Sequence, residues 1–502
     1  MKRIFVLLLC IAILIPLCSC AVSENTDAIM FSKQKKQIEG TAVISSKGVV
    51  FDSSARTPTF TYTPEAPIGI YKKGIFELCL KNTTDKTSVE VSFITTQDPE
   101  WTAFKKFDLP IEPCEDFKSF SIDLSKTYGW LTEITGLRFK VKDISQGEIV
   151  IRSFEIKDGG EYYLENIEYS PQEVYLSRTE RMRKGIIGPD GILGIWKNKN
   201  GQLSFLACSD GKPMVTHGTP ESPFEKVISS NGYIENMDWV EYRYCSPNQI
   251  VKNPNNDELI GITHLERNLL GGCYVATIGL SVSEDDGEAW TFLGEIICQD
   301  VPIDQHPNVS RDIGNGTILM DDEYLYIFIA DVEEETLAHG LAVCRVNLKE
   351  LYETTAKKEL PKAYKYKDGK WDEPGWEGKF DNILPEGIVP NFHYLTYNTE
   401  LEKYIMVLCC SPYYTSNDGD IMMLVSDTLY DFRNAKYNYL STAKAGEQYP
   451  TIVSLEGDQL KTGKEFYVYF CSWNAFDENG VSNWQLLWGS AQYVRHKITI
   501  SK

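Results

Sequence analysis

Three short stretches of the chain place acids beside groups able to tune them. Asp190 lies in Gly188-Pro189-Asp190-Gly191, Glu266 follows His264 and Leu265, and Asp312 follows Arg311. Carboxyl groups of unlike proton affinity can divide a hydrolysis between them. One stays protonated and donates to a leaving oxygen, while the other, ionised, activates water or attacks carbon. A third acid and a nearby arginine separate their pKa values. Asn248, His264, Arg311, Asp331, His393 and Glu447 add hydrogen-bonding groups, Trp473 adds an aromatic face for a sugar ring, and His306 in Asp304-Gln305-His306-Pro307 can line the same mouth. Each has a plainer role open to it. Pro-Asp-Gly is a turn tripeptide, Glu266 beside Arg267 can be a rim ion pair, and buried histidines are often hydrogen-bonded structural groups.

These residues are far apart in sequence, so the elements that carry them must bring them together. From 172 to 502 the chain repeats a pair of apolar strands joined through polar turns: 191–196 with 203–208, 249–251 with 259–265, 317–320 with 324–330, 394–397 with 404–410, and 451–455 with 466–471. Five such units predict a five-bladed β-propeller, whose closure removes exposed sheet edges. In a propeller the first strand of each blade starts at the pocket face and the second returns to it. Asp190 then enters on blade one and Asn248 on blade two, where His264 and Glu266 return. Arg311 and Asp312 enter on blade three, where Asp331 returns; Asn391 and His393 enter on blade four; Glu447, Tyr449 and Trp473 frame blade five. Ser283, Asp285, Gly287 and Trp290 have Asp-box spacing, expected to be a structural turn between outer strands.

Residues 41–158 alternate with period two, as in Phe76, Leu78 and Leu80 against Glu77, Cys79 and Lys81. Half-buried antiparallel strands of this kind predict a β-sandwich, so the fold class is all-β throughout. At the start, Lys2 and Arg3 precede an apolar run ending in Leu17-Cys18-Ser19-Cys20. Residues 1–20 are expected to be a signal peptide, too short to be a comfortable transmembrane helix. They resemble a lipobox with Cys20 as the lipidated residue, and 21–40 are expected to be a polar tether. That places the protein on the bacterial cell envelope, lipid-anchored to the outer membrane and periplasmic or surface-exposed. The net charge of −21 repels polyanions and argues against nucleic acid. The thirteen cysteines fall largely in apolar strands or the signal region and are expected to be buried thiols rather than disulfides. No cysteine or histidine spacing suits zinc. No metal ligands are therefore assigned and no cofactor is required, with room left for a structural calcium.

Two resemblances add to this. The segment 130–156 looks like the end of a galactose-binding-like jelly roll, which leaves sugar binding and a structural spacer both open. Asp190 at the mouth of the first blade, the later strand-end acids, the Asp box and the run Tyr324 to Asp331 resemble the five-bladed-propeller glycoside hydrolases, the group containing families 43, 32 and 62. The resemblance covers roughly 181–502 and implies a monomer that cleaves glycosidic bonds of a carbohydrate substrate with inversion. It implies Asp190 as general base, Glu266 as acid and Asp312 as modulator, with Asp331 as substitute. Glu266, at the end of a second strand, departs from the family-43 pattern, in which the acid begins an inner strand. A glycan-binding lipoprotein without catalysis, a sialidase-like hydrolase and a polysaccharide lyase are the alternatives.

Overall fold

The computed structural model describes residues 28–161, 164, 166–186, 190–209, 212–229, 232–303, 310–410, 419–442, 446–472 and 490–501. Cys20, His306 and Trp473 lie outside the described residues.

In the N-terminal part the period-two pattern becomes burial. Ile75–Asn82 turns Phe76, Leu78 and Leu80 inward at zero exposure, and Ser88–Thr95 does the same with Val89, Val91 and Phe93. The first of these strands belongs to a six-stranded sheet ordered Cys114–Asp123, Ile75–Asn82, Ile149–Lys157, Gly48–Phe51, Val43–Ser45, with Ile29–Met30 also on Ile149–Lys157. The second lies in another, ordered Ile38–Gly40, Thr59–Tyr62, Glu133–Lys140, Ser88–Thr95, Lys106–Pro110. One apolar core joins the inner faces of both sheets, with Phe60 stacked on Phe139 at 4.5 Å.

The described residues of the remaining chain form five further antiparallel-dominated sheets. Their first strands are Gly194–Lys197, Tyr242–Lys252, Thr317–Met320, Pro390–Asn398 and Glu447–Ser454. Each touches the next in that order. The Leu193 N–H donates to Thr451 Oγ1 at 3.0 Å and joins the fifth to the first. Five inner strands thus form a closed ring, with each blade extending outward from its own. Buried glutamines stitch the ring. Gln459 Oε1 accepts from the Ile195 and Ile250 N–H groups at 2.9 and 3.3 Å, and its Nε2 donates to Ile250 O at 2.9 Å. Gln249 Oε1 accepts from the Ile318 N–H. In blade two, Ser283 Oγ donates to Asp285 Oδ1, the Gly287 N–H donates to Ser283 Oγ, and Trp290 Nε1 donates to Gly287 O at 2.9 Å. Gly287 there adopts φ +91°, a conformation glycine reaches without strain.

Two boundaries move. Residues 29–40, expected to be tether, enter the sandwich: Ile29–Met30 and Ile38–Gly40 pair in its two sheets, and Phe31 is fully buried against Phe60, Tyr62, Phe139 and Phe154. A single aromatic anchor gives no periodicity to read. The expected linker up to 171 contains Ile167–Tyr169, which pairs with the final strand Gln492–Ile500, as does Glu173–Leu176. The last blade is therefore completed by chain that precedes the first. None of the ten described cysteines is in a disulfide.

Phe31→Ala should destabilise the protein by about 3–5 kcal/mol, the range for a buried aromatic, whereas Val43→Ala, at a side chain 56% exposed, should change little. Urea unfolding of the two variants checks this, and a tether would give equal midpoints.

Candidate active site

The mouth is built from the entering ends of the ring strands and, on blade two, from the returning end of the second strand, Leu259–Asn268. Asp190 precedes blade one, and its backbone is clamped: the Asp190 N–H donates to Cys208 O at 3.3 Å, and Tyr244 Oη donates to Asp190 O at 2.7 Å. Tyr449 Oη donates to Asp190 Oδ1 at 3.2 Å from blade five. Tyr449 has φ +58° and sits where the pairing register breaks between Gln448 and Thr451. A non-glycine residue in that region is strained, and the bulge re-aims its side chain.

On blade two, Arg243 Nε donates to Glu266 Oε2 at 2.5 Å, and the guanidinium lies 3.9 Å from the centre of the Tyr274 ring. Glu266 Oε1 is 3.9 Å from His264 Nε2. The other imidazole nitrogen, Nδ1, is 2.7 Å from Gly314 O on blade three, which makes it the donor. Asp312 Oδ1 accepts from the Gly314 N–H at 2.8 Å, and Tyr274 Oη approaches Asp312 Oδ2 at 3.4 Å. One donor atom from each of His264, Glu266 and Asp312 falls within 4.8 Å of the others, a ligand set contributed by two blades that no sequence spacing could reveal.

Proton affinity separates the acids. Burial, then the charge of Glu266, pushes Asp190 up from its ordinary 3.8 to about 6, against the Tyr449 hydrogen bond and His264. Asp312 is raised by burial and by Glu266 despite His264. Burial acts on Glu266 in the same sense, yet His264 and Arg243 together outweigh it and hold its carboxyl below the usual range. His264 is raised, because Glu266 and Asp312 outweigh its burial.

Asp190, Glu266, Asp312 and His264 are thus brought together; other expected members are not. Asp331 is turned away into a fully buried ion pair with Lys365 at 2.7 Å and also accepts from the Asp300 and Val332 N–H groups, so it is neither modulator nor sugar ligand. His393 is buried with Nε2 3.0 Å from Phe328 O and Nδ1 3.4 Å from Asn391 O, and burial lowers its pKa to about 4. It is a neutral ring between blades three and four rather than a group at the mouth. Glu447 is fully buried, pushed to about 8 by burial against the pull of Ser441, with Asp420 nearby. Asn248 is 1% exposed and donates to Asn315 O at 3.4 Å. Arg311 bridges by its backbone to Val275 and lies near His339. Sequence reasoning missed Arg243, Tyr244 and Tyr274. For the first two the signal is the aromatic–basic–aromatic run Tyr242-Arg243-Tyr244 ahead of Pro247, where the long inner strand is bulged and extends further toward the mouth than its apolar part; Tyr274, opening the third strand of the blade, carries none.

No family model matches the chain, and no curated protein matches it. Among solved structures, the chain is similar to an endo-1,5-alpha-L-arabinanase from Thermotoga petrophila, with 11% identity and a TM-score of 0.37 over 61% of this chain and 70% of that one. It is similar also to a GH43 endo-arabinanase from Bacillus licheniformis, with 11% identity and a TM-score of 0.35 over 62% and 94%. An N-acetylgalactosamine deacetylase from F. plautii gives 10% identity and a TM-score of 0.36 over 62% and 88%. GH43 enzymes are thus among the structures it is similar to.

Two outcomes test this arrangement. Asp331→Ala leaves the Lys365 ammonium buried without its partner and should destabilise by about 3–5 kcal/mol; an unchanged melting temperature would return Asp331 to the mouth. For Asp190 the folded protein holds its proton more tightly than the unfolded chain, so stability falls as pH rises from 3.8 to about 6. The penalty is complete above that window and amounts to about 3 kcal/mol at 1.36 kcal/mol per unit. Asp190→Asn should therefore be more stable than wild type at pH 7.5 and equal to it at pH 3.5, as measured by chemical denaturation.

Proposed function

We propose that the chain is a glycoside hydrolase whose mouth cleaves a carbohydrate through Asp190 and Glu266. The observation that supports this most is the split in proton affinity between neighbouring acids, with Asp190 held near 6 while Glu266 stays ionised. The division suits Asp190 as the proton donor to the leaving oxygen and Glu266 as the group that draws a proton from water, the reverse of the roles implied by the sequence resemblance. Asp312 lies half-buried beside both and is raised, like Asp190, by burial and by the charge of Glu266. His264 and Arg243 hold Glu266 in its charged form. Tyr244 and Tyr449 fix Asp190 from blades two and five, so the donor does not have to be positioned by substrate. Inversion belongs to the same proposal, as does envelope anchoring through Cys20.

Release of reducing sugars from a panel of plant and microbial polysaccharides is the direct assay. Asp190→Asn and Glu266→Gln should each lower kcat by about 10²–10⁴, the usual contribution of a general acid or base, and kcat/KM of the wild type should fall as pH rises through about 6. The anomer first formed, read by NMR, reports inversion. Full turnover in both variants would refute the assignment, and tight glycan retention without product would favour a binding protein instead.

A further inference from the structure

We propose that His264, Glu266 and Asp312 bind a divalent first-row transition cation, such as zinc or manganese, at the mouth of the propeller. One imidazole nitrogen and two carboxylate oxygens, all within 4.8 Å of one another, can close on an ion at about 2.0–2.2 Å from each with small side-chain rotations. Three protein donors leave a position open for water, the pattern of a reactive rather than a purely structural ion.

The surroundings are arranged as those of a metal site are. Gly314 O accepts the His264 Nδ1 proton at 2.7 Å, which leaves Nε2 facing Glu266 Oε1, 3.9 Å away, as the ring atom available to an ion. That separation is too long for a direct hydrogen bond, so the two atoms have room to close on a shared ion. Arg243 binds the far oxygen of Glu266, and Gly314 N–H binds the far oxygen of Asp312. Each ligand is thus oriented through the atom it does not need for coordination. Mixed imidazole and carboxylate donors suit zinc or manganese better than the all-oxygen shells of calcium.

The inference rests on the hydrolytic reading only for what the ion would do. Held by His264, Glu266 and Asp312, the ion would supply a water of lowered pKa beside Asp190, and Glu266 would then serve as its ligand in place of the general-base role it has without the ion.

Chelator-stripped full-length protein titrated calorimetrically with Zn²⁺, Mn²⁺ and Ca²⁺ tests it without a substrate. Wild type should take up one equivalent of Zn²⁺ or Mn²⁺ in preference to Ca²⁺, with a rise in Tm. His264→Ala should weaken binding by more than the roughly 10–100-fold that loss of an outer partner produces. Asp312→Asn provides the same reading if His264→Ala fails to fold, and visible absorption of the Co²⁺-loaded protein should report mixed nitrogen and oxygen ligation. Absence of stoichiometric binding, a preference for Ca²⁺, or affinity unchanged in a variant that folds each overturns the site. Binding of the ion without turnover on any glycan would sink the hydrolase reading and leave the site standing; turnover in protein that binds no ion would sink the site and leave the hydrolase reading standing.

Discussion

The ring of five inner strands holds its shape because buried side-chain amides supply hydrogen bonds that a sheet edge would otherwise take from water. Gln459 is the clearest case. Its single amide satisfies two N–H groups and a carbonyl on blades one and two. Gln249 ties blade two to blade three in the same way. Inner strands meet at close quarters with no ladder between them, so their backbone polar groups need such partners or would be left unsatisfied. Closure by Ile167–Tyr169 and Glu173–Leu176 on the final strand completes the last blade with early chain. The relative height of the five entering ends is thereby set, and with it the meeting of Asp190, His264 and Asp312 from three blades and Tyr449 from a fourth.

Given that convergence, burial alone would raise every acid at the mouth. What differentiates them is that Glu266 alone has both His264 and Arg243 lowering it. Arg243 is held against the Tyr274 ring and reaches Glu266. Glu266 therefore carries the negative charge, and its charge in turn raises Asp190 and Asp312. The site is a hierarchy in which His264 and Arg243 select the ionised acid and its charge raises the other two. Because these groups titrate together, their pH behaviour belongs to the cluster rather than to single residues.

The strand pairs of the propeller were legible because apolar runs broken by polar turns record burial on both faces. Asp190, Glu266 and Asp312 were legible because position along such a strand fixes which end of the ring a residue faces. Position does not say where a side chain turns. Asp331 stands at the same level of its blade as an expected site group, yet it points toward Lys365, a lysine with no exposed surface. Nothing in Ala363–Lys367 marks that lysine as buried. Arg243, Tyr244 and Tyr274 were overlooked for a different reason: they occupy the polar mouthward ends of strands whose apolar portions start later or belong to the third strand of the blade. The segment 29–40 was misread because two very short strands and one phenylalanine leave no period.

The sandwich bears on the same end of the molecule through side chains rather than through the connecting chain alone. Tyr128 Oη donates to Asp420 Oδ1 at 3.3 Å, its ring packs edge-on to Tyr439 at 5.5 Å, and Ser441 Oγ donates to Gln97 Oε1 at 3.4 Å. Those partners lie on the third and fourth strands of blade four, and Asp420 is also one of the charges that raises the buried Glu447 at the start of blade five. A freely swinging spacer would not place a tyrosine from one unit on an acid that helps set the protonation of another. The contacts fit a sandwich that buttresses blades four and five, on the side of the ring opposite the arginine-anchored acid of blade two.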